Sequence, residues 1–350
     1  MNDHDPSEFY RISEDSSTES LDNPPMPVRS WIRVVFALTI TMGVMVVIFR
    51  NVVGFEPMIQ ALGQAKWEQL WIPTLLLGFT LVVSVWKWQA VLLAMNCELT
   101  FSRGIYSFLV AWPFSAITPS RAGDLVRSLC IRDRVPLLQG TTSIVIDRLF
   151  DIQCLMLLAA VGAFLRSWWL VGFGMLSGLI AIWILFYATR EHWSELASWR
   201  MLRRLRPMVE RIVESGSAVV RQPMVVAKLV GFSLVIWLSV LTMVYVLLKI
   251  FSSPISPYQV VALWPLATLV GLVPLTLAGM GTRDMAFLYL IEQTSQLRPE
   301  YGPVLLATFA YSLFSSWIFA VIGAPFSLHF MMKRSRFNHQ LTRPNGRSHS

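Results

Sequence analysis

Ionisable residues recur in this sequence inside or beside runs of apolar residues, and their spacing limits what they can do. "IDRLFD" places Asp147, Arg148 and Asp151 in the first turns of an otherwise apolar segment. Asp147 and Asp151 are four apart and share a helix face, with Arg148 about 100° around from Asp147. Lys87 lies deep in another apolar run, between Trp86 and Trp88. "TPSRAGDLVR" sets Arg121, Asp124 and Arg127 around Pro119 and Gly123, and "PLTLAGMGTRD" sets Arg283 and Asp284 after Pro274, Gly279 and Gly281. Two kinds of chemistry suit such groups. Neighbours of opposite sign can neutralise each other: Asp124 with Arg127, Asp147 or Asp151 with Arg148, Asp284 with Arg283. Intramembrane ion pairing is the role expected of these carboxylates and of Arg148. A cation beside a broken helix can instead hold an anion. The break exposes free N–H groups and a positive dipole end, and the guanidinium fork matches phosphate oxygens. Arg121, Arg127 and Arg283 are read in this way as phosphate ligands, with Pro119, Gly123, Pro274, Gly279 and Gly281 forming the turns. Lys87 is grouped with them, the alternative being a snorkelling or Trp-stacked cation.

The elements that must carry these residues belong to a membrane protein. Hydrophobic residues make up 55% of the 350 and charged residues 14%, with a mean hydropathy of +0.55. A soluble domain would carry about 25% charged residues. Stretches of about 20 apolar residues suffice to span a bilayer, and six are readable: 31–49, 70–94, 143–165, 167–188, 228–250 and 303–328. The expected fold is all-α, a polytopic helical bundle of six to eight segments. Residues 1–29 read as a disordered acidic tail, 30–330 as the membrane domain, and 331–350 as a basic cytoplasmic tail. Within the domain, 189–226 combines helical apolar spacing with a basic face, as an interfacial amphipathic helix does.

The net charge of +8 comes largely from arginines between segments, which points to topology and anionic headgroups rather than nucleic acid. By the positive-inside rule the regions around 121–134, 190–221 and 333–347 are cytoplasmic. With a cytoplasmic N-terminus, six spans allow this only if 104–118 and 258–292 both enter the membrane and return. With the N-terminus outside, 104–118 must cross. The three cysteines share no motif spacing and the five histidines are scattered, so no metal or other cofactor is expected.

Segments 104–118 and 258–292 resemble each other. Each holds a Trp-Pro pair (Trp112-Pro113, Trp264-Pro265), a second proline, small residues, and then an arginine near an aspartate. They read as two broken or re-entrant hairpins, the pattern an inverted repeat would leave. Paired interruptions of this kind point to a transporter-type site, because irregular backbone at membrane depth must be buried in protein or line a cavity.

In this order the three motifs resemble those of the lysylphosphatidylglycerol synthase transmembrane-region family, also described as flippase-like membrane proteins. "TPSRAGDLVR" is similar to its Pro-Gly-Arg-x-Gly-Glu/Asp-x-x-Arg turn at Pro119, Arg121, Gly123, Asp124 and Arg127. "IDRLFD" is similar to its Glu-Arg-x-x-Asp motif at Asp147, Arg148 and Asp151. "PLTLAGMGTRD" is similar to its second turn at Pro274, Thr276, Gly279, Gly281, Arg283 and Asp284. Ser120, Leu277 and Ala278 depart from the pattern, and Asp147 and Asp284 stand where Glu is usual.

The resemblance implies a polytopic domain of roughly residues 30–330 that handles or moves phospholipids or polyprenyl-linked phosphates in the inner (plasma) membrane. Some relatives continue into a soluble aminoacyl-transferase domain. Here 20 largely polar residues follow position 330, so synthase activity is not expected of the chain acting alone. The leading expectation is a non-enzymatic translocator of an anionic membrane lipid. The alternative is a membrane enzyme, or an accessory subunit to a separate lipid-modifying enzyme, in lipid-linked glycan or aminoacyl-phospholipid metabolism. No nucleophile paired with a base and no nucleotide loop favours catalysis, and no catalytic residue is assigned.

Overall fold

The computed structural model describes residues 39, 43, 55–196, 214–273, 276, 279–294 and 301–341, without the side chains of 55, 119–121, 186–196 and 334–341. The acidic tail, nearly all of the first expected span, residues 197–213 of the amphipathic loop, Pro274 and the last residues of the basic tail lie outside the described residues. Among those described, the chain is helical and contains no strand.

Helix α1 (Phe55–Gly63) is followed by a 3₁₀ turn (Trp67–Leu70) and by α2 (Trp71–Ala94). The first hairpin consists of α3 (Phe101–Ile117), a 3₁₀ turn (Pro119–Leu125) and the short α4 (Val126–Cys130). Then come α5 (Leu137–Leu165), α6 (Trp169–Leu196) and α7 (Pro223–Ile250). The second hairpin pairs α8 (Pro257–Gly271) with α9 (Thr282–Thr294). The last long element is α10 (Tyr301–Ser312), a π-helical stretch (Leu313–Ile318) and α11 (Phe319–Leu341). Among the described residues, three helical stretches are long and apolar enough to cross a membrane: Trp67–Ala94, Pro223–Ile250 and Tyr301–Lys333. Large apolar side chains face outward on them and on α6, among them Leu75, Leu170, Ile184 and Val321. That is the surface lipid requires. Helix α5 has the length of a span but carries the Asp147–Asp151 charges.

Two boundaries differ from those read in the sequence. Helix α6 continues eight residues past 188, because no glycine or proline follows Gly178 before Leu196. Helix α11 likewise continues past 328, the end of the last span read in the sequence, to Leu341. A third difference concerns the prolines. Pro265 does not break its segment, and Pro113 too sits inside a continuous helix. The helices end later, at Ile117 and Gly271.

Interior proline is tolerated because the neighbouring helix covers the carbonyls it frees. Pro113 cannot donate to Leu109. Gly323 of α11 packs on that carbonyl so closely that a Cβ there would lie 2.2 Å from Leu109 O, and Ser327 Oγ donates to Val110 O at 2.8 Å. Near Pro265, which frees the Val261 carbonyl, a Cβ on Gly162 of α5 would lie 2.3 Å from the adjacent Ala262 O. Small residues let helix backbones meet where no side chain fits. Helix α3 thus lies along α11 and α8 along α5, while α2 and α7 run against each other.

The ends of α2, α5 and α7 are also alike. Asn96, Ser167 and Ser252 adopt φ of 59°, 59° and 56°. The next residue's N–H then closes on a carbonyl five positions back, Cys97 on Leu92, Trp168 on Ala163 and Ser253 on Leu248, each at 2.9 Å. These are Schellman caps that satisfy otherwise free carbonyls. Helix α8 opens with a capping box between Ser256 and Gln259, with Pro257 in its first turn.

Candidate functional site

The first hairpin returns its turn to the side of α3. A Cβ on Gly123 would fall 2.2 Å from the Phe114 carbonyl carbon, so only glycine allows the turn to lie this close. Thr118 Oγ1 accepts from Gly123 N at 2.8 Å, and Ser115 Oγ donates to Asp124 Oδ1 at 2.6 Å. The closed turn presents Asp124, and α4 presents Arg127, to α5, where Asp147 and Asp151 face inward and Arg148 stands at the edge, while α2 brings in Lys87 and α7 brings in Ser233.

Six charges meet there. Lys87 Nζ lies 2.9 Å from Asp147 Oδ1 and also bonds Asp151 Oδ1. Ser233 Oγ donates to Asp151 Oδ1 at 3.0 Å, and Trp237 Nε1 to Asp151 O at 3.0 Å. Arg127 Nη2 reaches Asp147 Oδ2 at 3.5 Å and Asp124 Oδ2 at 3.8 Å. Its guanidinium lies between Phe108 and Trp88, 4.3 and 5.1 Å from their ring centroids. Arg148 spans all three carboxylates, with Asp124 at 3.2 Å, Asp151 at 3.4 Å and Asp147 at 3.6 Å. An isolated buried charge costs several kcal/mol of desolvation, so three cations against three carboxylates is the condition under which such a group persists. Exposure separates the cations. The side chains of Lys87 and Arg127 are 1% and 0% exposed, that of Arg148 37%. Arg148 is the surface of this network.

The second hairpin builds a smaller cluster. Gly279 and Gly281 take φ of 75° and 92°, a left-handed backbone that glycine adopts without strain. The turn lies against the end of α8, where a Cβ on Gly271 would be 2.8 Å from Arg283 Cβ. Arg283 donates Nε and Nη2 to Asp284 Oδ1 at 3.2 and 2.9 Å and Nη2 to Ser312 Oγ at 2.6 Å. Its guanidinium lies 4.7 and 4.9 Å from the Tyr311 and Trp264 rings. Asp284 Oδ2 accepts from Gly281 N at 3.0 Å. Arg283→Lys should keep the charge and lose the fork and the planar stacking, lowering stability by about 1–2 kcal/mol as read by thermal melting in detergent. A melting temperature equal to the parent's would show that the stack and the Ser312 bond contribute nothing.

Sequence-expected residues therefore fall into two groups. Lys87, Asp124, Arg127, Asp147, Arg148 and Asp151 come together; Arg283 and Asp284 meet each other elsewhere, and Arg283's partners include none of Arg127's. Arg121 belongs to the first turn, with its side chain outside the described part. Ser115, Ser233, Phe108, Tyr311 and Ser312 were not singled out in the sequence. The available hint was a hydroxyl or aromatic residue on the inward face of an apolar helix carrying a charge. Among the described residues no set of His, Cys, Asp and Glu side chains gathers to hold a metal ion. Outside the spanning segments, Asp133 pairs with Arg103 at 2.5 Å, and that hydrogen bond holds its carboxyl below the usual range.

A model of the family described as "Lysylphosphatidylglycerol synthase TM region" matches residues 31–323. No curated protein matches the chain.

Proposed function

The chain belongs to the lysylphosphatidylglycerol synthase TM-region family, a membrane family tied to lipid metabolism, and from that premise we propose that it binds an anionic lipid headgroup and carries it between leaflets of the plasma membrane. The supporting observation is the buried six-charge network that reaches the surface through Arg148. Arg148 receives the headgroup phosphate, while Lys87 and Arg127 behind it, and Arg121 on the adjacent turn, supply the positive field. Arg283 and the second hairpin form a second, more enclosed station for the same chemistry. Acyl chains remain in the bilayer along the apolar outer faces.

Acid–base chemistry would need a poised carboxylate. Asp124, Asp147 and Asp151 are each tied to at least one cation, which favours carriage over catalysis.

Native mass spectrometry of the protein extracted in mild detergent tests the reading. Retained phospholipid or polyprenyl phosphate is expected on the parent chain, with occupancy falling about tenfold or more in Arg148→Gln, since a charge-assisted bond contributes about 1.5–3 kcal/mol. Equal occupancy in both proteins would reject it.

A further inference from the structure

Arg148 is bridged to two bodies at once. Asp147 and Asp151 belong to its own helix and are held by Lys87 on α2. Asp124 belongs to the 3₁₀ turn of the first hairpin and approaches Arg148 Nε from there at 3.2 Å. That approach is an ion pair without hydrogen-bond alignment, and Arg148 Nε has no hydrogen-bond partner. A carboxylate and a phosphodiester both offer two anionic oxygens to a guanidinium fork. Asp124 also has other places to go. Ser115 Oγ already donates to its Oδ1 at 2.6 Å, and Arg127 Nη2 stands 3.8 Å from its Oδ2. Leaving Arg148 does not strand it as a bare buried charge.

Resting on the headgroup reading above, we propose that Asp124 is a built-in competitor for Arg148: its carboxylate holds the place that a lipid phosphate takes, and headgroup binding displaces it and releases the Pro119–Leu125 turn from α5. Binding at Arg148 and loosening of the first hairpin are then one event. The turn moves when, and only when, the anion arrives.

The test uses the full chain in detergent, titrated separately with short-chain phosphatidylglycerol, short-chain phosphatidylcholine and inorganic phosphate. Asp124→Asn keeps an oxygen for Ser115 and removes the competing charge. It should bind phosphatidylglycerol about three- to tenfold more tightly than the parent, because the binding-competent fraction rises. Asp151→Asn adds the same net charge but leaves the competitor in place, and should tighten binding by less. Amide hydrogen exchange across 118–125 should rise when phosphatidylglycerol is added to the parent chain. That measurement needs no variant to fold.

Loss of binding in Arg148→Gln together with tightening in Asp124→Asn supports the proposal. Loss in Arg148→Gln without tightening in Asp124→Asn, or equal tightening by Asp151→Asn, overturns the competitor and leaves the headgroup reading standing. Binding that no variant alters overturns both. Inorganic phosphate binding as tightly as phosphatidylglycerol would overturn the lipid as the source of the displacing group.

Discussion

Lys87→Met is expected to cost the fold about 3–5 kcal/mol, the loss seen when one partner of a buried ion pair is removed. Methionine nearly matches the lysine stem, so the change removes charge rather than volume. Lys87 is 1% exposed and holds Asp147 on one side and Asp151 on the other. Without it, Arg127 and Arg148 must serve three carboxylates, one charge in excess. Adding Asp151→Asn restores the balance, and the double variant should be more stable than the sum of the singles by about 1–3 kcal/mol. Thermal melting of the four proteins in one detergent closes the cycle. Strict additivity, or a Lys87→Met protein as stable as its parent, would show that the charges do not act as a network.

Gly123→Ala should be nearly as damaging for a different reason. Its new methyl group would meet Phe114 C at 2.2 Å, Ser115 N at 2.3 Å and Phe114 O at 2.5 Å. All three are backbone atoms of α3, so no rotamer change relieves the clash, and the turn must lift. Overpacking of this kind costs about 1–3 kcal/mol and sometimes more; here it also pulls Asp124 away from Ser115. Gly78→Ala on α2 is the comparison. Nothing lies within 4 Å of that position, and alanine is favoured over glycine in a helix by about 1 kcal/mol. Gly123→Ala should lower expression and melting temperature, and Gly78→Ala should keep or raise them. If the two behave alike, the turn does not depend on its closeness to α3.

What could be read beforehand followed from local rules. The spans on α2 and α7 show as unbroken apolar length. Arg148 with Asp147 and Asp151 shows as adjacency on one turn, and Arg283 with Asp284 as neighbours. Contacts that depend on how helices face one another left no such trace. Lys87 meets carboxylates 60 and 64 residues away, and nothing near Lys87 in the chain points to α5. The Trp-Pro pairs drew attention as breaks, yet the helices pass through both prolines, with Gly162 and Gly323 bringing a second helix onto the backbone in the turn before each. Exposure was equally hidden. The sequence offered Arg121, Arg127, Arg283 and Lys87 as phosphate ligands and Arg148 only as an ion-pair partner; packing makes Lys87 and Arg127 interior and leaves Arg148 partly exposed.

The balance of charge within the first cluster has an electrical consequence. Lys87, Arg127 and Arg148 match Asp124, Asp147 and Asp151 one for one. The empty network therefore carries no net charge, and a transmembrane voltage does no work on it when it shifts as a unit. A bound anionic headgroup changes that by its own charge alone, worth about 2.3 kcal/mol for each elementary charge moved through 100 mV. On the proposed carrier reading, an interior-negative membrane would drive the loaded protein outward and leave its empty return indifferent to voltage.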